Sequence, residues 1–126
     1  MFGLFVISQE AVHADNACQI ACSVSYQQCL VGAQDAYDQC LIGPEMALDN
    51  CEYQAEQSHQ TFTHLCDYFL PYAWCYNTAD SNWLEAQQEC EQIYFNAEEG
   101  CYDVQQGITA TCVNTYNACY NNCPPS

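Results

Sequence analysis

The residues of this chain best able to do chemistry are its twelve cysteines. A thiolate is a nucleophile and a soft metal ligand, whereas a cystine is a cross-link with no thiolate to attack or ligate, so the chemistry available depends on how the sulfurs are paired. Their number is even, which leaves no obligatory free thiol. Twelve in 126 residues is the density of disulfide scaffolds from oxidising compartments. The other nucleophiles and bases give little support to catalysis. His13, His59 and His64 lack a spacing that recruits a nucleophile, and no CxxCH, HExxH or glycine-rich phosphate loop occurs. The expectation is a protein that is not an enzyme, has no cofactor, and carries His59 and His64 as solvated surface residues.

Spacing chooses the pairing. Successive cysteine steps are 4, 7, 11, 11, 15, 9, 15, 11, 11, 7 and 4, the same in both directions. Twelve cysteines admit about ten thousand complete pairings, but a chain folded back between Cys66 and Cys75 brings together cysteines whose numbers sum to 141. The expected cystines are Cys18–Cys123, Cys22–Cys119, Cys29–Cys112, Cys40–Cys101, Cys51–Cys90 and Cys66–Cys75. Steps of 4, 7 and 11 are close to whole helical turns and hold Cys18 to Cys51 within a stripe of about 60°. A strand would need even steps to keep one face, and most of these are odd. The fold class is therefore all-α: a long antiparallel helical hairpin stapled by six nested disulfides.

The residues between the cysteines agree. Filling the stripe in steps of three and four gives Ala33, Ala36, Pro44, Ala47, Ala55, Ser58 and Phe62, which face Ile108, Gln105, Ala97, Tyr94, Ala86, Trp83 and Ala79. Small residues meet large or compact ones, which lets two helices approach as closely as cystines require; Gln105 against Ala36 is the one poor fit. Asn16 with Gln19, and Asn82 with Glu85, resemble capping boxes at the start of each arm, with Asp80 and Ser81 as competing caps. Gly43-Pro44 should break or kink the first arm, and Gly100 and Gly107 weaken the second. Pro124-Pro125 ends it. Arms of this length predict a rod of about 75 Å, or a folded-back four-helix arrangement if the chain bends at Pro44. Such a seam buries little, so cross-links of about 2–4 kcal/mol each must supply much of the stability.

The cysteine arrangement resembles known cystine-bridged helical hairpins. Cys18-x3-Cys22 and Cys119-x3-Cys123 look like the paired CxxxC motifs of plant α-hairpinins; Cys40-x10-Cys51 and Cys90-x10-Cys101 are similar to the twin CX9C segments of coiled-coil-helix proteins of the mitochondrial intermembrane space. Both likenesses concern spacing and imply a hairpin fold. α-Hairpinins that inhibit proteases or disrupt membranes generally act through basic residues, which this chain lacks, so neither activity carries over. A reduced, cysteine-lined bundle resembling bacterial copper-storage proteins is the metal-binding alternative, since helical CxxxC puts two soft sulfurs on one face.

Charge narrows the partners. There is no Lys or Arg against sixteen Asp and Glu, a formal net charge of −16. Nucleic acid and anionic membranes offer no electrostatic attraction to such a chain. Glu45 with Glu98 and Glu52 with Glu91 follow facing seam positions, with Glu56 one turn on, and would place carboxylates beside the seam where Ca²⁺ could bind. The remaining concentration of unusual residues is the tip, Asp67 to Tyr76. Tyr68, Phe69, Leu70, Tyr72, Trp74 and Tyr76 there either anchor a protein partner or a second copy, or wrap around Phe62, Leu65 and Trp83 as a local core. Residues 1–14 read as a remnant signal peptide, with Val12 and Ala14 at the cleavage positions, followed by one domain over residues 15–126. The functional expectation is a secreted, cell-surface or periplasmic structural or interaction protein: a spacer, a matrix or filament component, or a ligand-presenting module.

Overall fold

Each position assigned to the seam lies on one of two helices, α1 (Val6–Phe69) and α2 (Ala73–Asn121). The computed structural model describes residues 6–124, and side chains from residue 17 to residue 124. Among the described residues there is no strand. The two helices pack antiparallel as a hairpin, and all twelve cysteines are paired across it as Cys18–Cys123, Cys22–Cys119, Cys29–Cys112, Cys40–Cys101, Cys51–Cys90 and Cys66–Cys75. Cα separations of 5.6–5.8 Å at every rung lie in the ordinary cystine range. The side chains expected of a signal remnant at 1–14 lie outside the described residues.

The chain divides into two compact units, each built from both helices: Met1–Tyr37 with Asp103–Ser126, and Asp38–Tyr102. In the first, Cys22, Ala33 and Cys112 are almost fully buried, Tyr26 and Tyr116 meet across the helices with ring centroids 5.0 Å apart, and Ile108 is half-buried opposite Ala33. Gln105, the poor fit, is satisfied instead by donating from Nε2 to Oε1 of Gln34 at 3.0 Å. In the second unit Cys66, Cys75, Ala79, Cys90, Cys101 and Ala55 are buried. Residues whose numbers sum to 141 line the same grooves: Ala55 with Ala86, Ser58 with Trp83 and Phe62 with Ala79 in one, Pro44 with Ala97, Ala47 with Tyr94 and Cys51 with Cys90 in another. Among the described side chains, the buried apolar residues are all cysteine or alanine. Each alanine methyl contributes only about 1 kcal/mol on burial, so the cystines carry the tertiary structure.

Three local expectations are corrected. α1 runs unbroken through Pro44. The missing N–H forfeits one backbone bond, but Pro44 faces the seam opposite the small Ala97, and the rungs Cys40–Cys101 and Cys51–Cys90 hold the helix on either side. Asn16 is interior to α1, which begins at Val6, and Asp80, Ser81 and Asn82 are interior to α2, which begins at Ala73; none of them starts a helix. Capping signals were outweighed there by the register of the staples, which favours helix on both sides of the turn. Finally, the turn is shorter than the ten-residue tip Asp67 to Tyr76. Only Leu70, Pro71 and Tyr72 separate the helices. Pro71 disfavours helical geometry at Leu70, whose N–H makes the closing bond to the Cys66 carbonyl at 3.1 Å. The Cys75 and Tyr76 amides then bond the Tyr72 carbonyl, starting α2. At the other terminus the Asn122 and Cys123 amides bond the Ala118 and Tyr120 carbonyls before Pro124.

Candidate functional site

The short turn determines what the tip presents. Tyr68 and Phe69 occupy the last turn of α1 and Trp74 the first turn of α2, so their side chains radiate from helix ends instead of folding inward. Phe69 is 74% and Tyr68 70% exposed, and Leu70, Tyr72 and Trp74 are also exposed. Their ring contacts are local: Tyr68 meets His64 edge-on at 4.6 Å, and Tyr72 lies nearly parallel to Trp74 at 6.3 Å. Tyr76 differs from its neighbours. It is half-buried, and its hydroxyl donates to Asp67 Oδ1. That hydrogen bond to a carboxylate, with some desolvation and the carboxylate's charge, pushes the phenol above its usual value of 10.0. Leu65 is exposed, while Trp83 packs elsewhere, so the tip aromatics do not wrap around Leu65 and Trp83 as a local core.

Trp83 belongs to a cluster that the sequence reading missed. His59, half-buried, stacks on the Trp83 ring at 4.9 Å and donates from Nε2 to Oδ1 of Asp80 at 2.8 Å. His59 is thus a cross-helix tie and not a solvated surface residue; His64 remains exposed. The signal that could have found this tie is arithmetic. His59 and Asp80 sum to 139, as do Gln34 and Gln105, the polar pair bonded across the other unit. The glutamate pairs Glu45/Glu98 and Glu52/Glu91 sum to 143, one helical turn away from that line. Glu45 and Glu91 are exposed, and Glu52 and Glu98 half-buried. No three of these carboxylates come within ligand reach of one another; among the described residues the group of three donors that does is Cys18, Cys22 and Cys123. Those sulfurs are already in cystines, so copper(I) ligation would require them reduced.

Three grooves follow the seam and are lined mainly by alanine, cystine and ring atoms. The largest of the three, about 270 Å³, lies between Pro44, Leu48, Ile93 and Tyr94. Its lining carries no charged side chain. Among the described residues neither helix has a stretch long and apolar enough to cross a membrane. Compared with protein families, with curated proteins and with solved structures, the chain has no match. The fold and the ladder define it as a cystine-laddered α-helical hairpin, and its likeness to other bridged hairpins stays at that generic level with no particular family.

Proposed function

We propose that this chain is an exported structural or interaction protein, in which the cystine ladder holds two helices stiffly enough to present the aromatic tip to a second copy of the chain. It serves as a spacer or as a matrix or filament component, and performs no catalysis of its own. Six cystines and the lack of a membrane-crossing stretch among the described residues are compatible with an extracellular, oxidising setting. The observation that carries the reading is the exposure of five large side chains, Tyr68, Phe69, Leu70, Tyr72 and Trp74, within a few residues of one another. Clusters of this kind are typical anchors of protein association.

Charge supports a second copy as the occupant. Sixteen acids without a basic residue make side-by-side approach costly, whereas residues 67–76 carry only Asp67, which Tyr76 already engages. Repulsion is weakest where apolar surface is greatest. Sedimentation of the wild-type chain and of a Tyr68→Ser, Phe69→Ser, Trp74→Ser variant tests this. The wild type should associate, more strongly as salt screens the acids, and the variant should sediment as a monomer with its helicity and cystines intact. A monomeric wild type, or a variant that associates equally well, would overturn the reading; capture of a basic partner, weakened by salt, would replace the second copy with that partner.

A further inference from the structure

The four cysteines of the paired CxxxC motifs are arranged unlike those of the rest of the ladder. Cys22 Sγ lies 3.8 Å from Cys123 Sγ, although each is bonded to a different partner. Both sulfurs are in cystines and carry no hydrogen, so this is van der Waals contact between two neighbouring cross-links. Cys18, Cys22 and Cys123 present sulfurs that are all within 4.8 Å of one another. The cause is the four-residue step, a single helical turn; every other step is at least seven residues, about 10 Å or more along a helix. Sulfur exchange between rungs is within reach only here.

We propose that these four cysteines form a thiol–disulfide exchange site, at which an external small thiol opens Cys22–Cys119 and the bond is passed on to release Cys18. Burial sets the direction. Cys22 is about 1% exposed while Cys119 is half-buried, so an incoming thiolate meets Cys119 first. Its attack forms a mixed disulfide on Cys119 and expels Cys22 as a thiolate. A thiolate in apolar surroundings is disfavoured, and the nearest electrophile is Cys123 Sγ. After turning about its Cα–Cβ bond to approach in line, Cys22 forms Cys22–Cys123 and breaks Cys18–Cys123. Cys18 leaves as a thiolate at a half-buried position, where water solvates it and a proton is taken up. Two disulfides and one thiol enter, and two disulfides and one thiol emerge. Cys123 is suited to accept, because it lies beyond the end of α2 at Asn121 and its backbone can adjust to the new partner. The product displays a Cys18 thiol able to attack a partner's disulfide, forming a mixed disulfide with one of its sulfurs and releasing the other as a thiol.

The test uses the intact chain and one equivalent of free cysteine at mildly alkaline pH, followed by acid quench, alkylation and peptide mapping after pepsin. The expected product carries the mixed disulfide on Cys119 together with an alkyl group on Cys18. Label on Cys22, a mixed disulfide on Cys123 with label on Cys18, or first opening at another rung would each overturn the exchange. A second measurement uses Cys119→Ala, which frees Cys22 without any reductant. Most of its single thiol should be found at Cys18, with a new Cys22–Cys123 cystine; label confined to Cys22 would overturn the proposal independently.

Discussion

At the tip one cystine, Cys66–Cys75, spans nine residues and leaves five large side chains in water, whereas the segments bearing the paired CxxxC motifs are held by two cystines one turn apart, spanning 105 and 97 residues. Chain continuity explains the difference. At the tip the backbone itself brings the helices together, so a single rung suffices and the aromatics are free for another use. At the paired CxxxC motifs the facing cysteines lie 97 or more residues apart along the chain, so cross-links are needed there to oppose fraying. By the chain-entropy argument a nine-residue loop is worth about 3 kcal/mol and a 105-residue loop about 5 kcal/mol, if each closes alone. Nesting changes that ranking, because with Cys22–Cys119 in place Cys18–Cys123 restrains only four further residues on each arm.

Breaking all rungs should have the largest effect. With only alanine and cysteine buried among the described side chains, the reduced hairpin lacks the apolar core needed to offset the entropy of ordering it. Full reduction at neutral pH should abolish most of the helical circular dichroism signal, and reoxidation should restore it with the 141-sum pairing.

Single rungs sharpen the comparison. Cys66→Ser with Cys75→Ser should lower stability by about 2–4 kcal/mol, because the next rung, Cys51–Cys90, closes a far looser tip. Cys18→Ser with Cys123→Ser should cost less, since Cys22–Cys119 still holds one turn inward. Thermal unfolding of the two double variants decides the order.

The two tryptophans compare seam with surface at smaller scale. Trp83→Ala removes the ring against which His59 stacks, within a groove shared with Phe62 and Ala79, and should cost about 1–3 kcal/mol. Trp74→Ala, at an exposed site, should stay within about 0.5 kcal/mol. Equal losses would mean that the tip is a local core after all.

The smallest effect concerns Tyr76. Its phenol is raised above 10.0 in the folded chain by Asp67, so the folded state holds the proton more tightly than the unfolded state. That contribution is complete below pH 10.0 and is lost as pH rises through the higher folded value. The melting temperature should therefore decline slightly above that pH, and Tyr76→Phe should remove this component of the decline.

Much of the fold was legible because cystine pairing is a problem of register. A palindromic step list, helical step lengths and small residues facing Ile108, Trp83 and Phe62 all specify the same antiparallel alignment. Local helix signals were less informative. Asn16, Asn82 and Gly43-Pro44 describe what a free segment would do, and in a stapled hairpin neighbouring rungs outweigh a cap or one missing backbone bond.

The sequence by itself determined the pairing of all twelve cysteines, the seam and the excess of negative charge, because these depend only on residue type and number along a helix of known period. Tertiary structure alone decided which side chains beside the seam meet and which tip residues stay in water. His59 reaches Asp80 and Trp83, Gln34 reaches Gln105, and Cys22 touches Cys123 because two helix surfaces interlock at distances of a few ångströms, and a register counted in residues does not resolve a rotamer. The tip remains exposed for a related reason: Pro71 shortens the turn to three residues, and a turn that tight leaves no interior for its own aromatic rings.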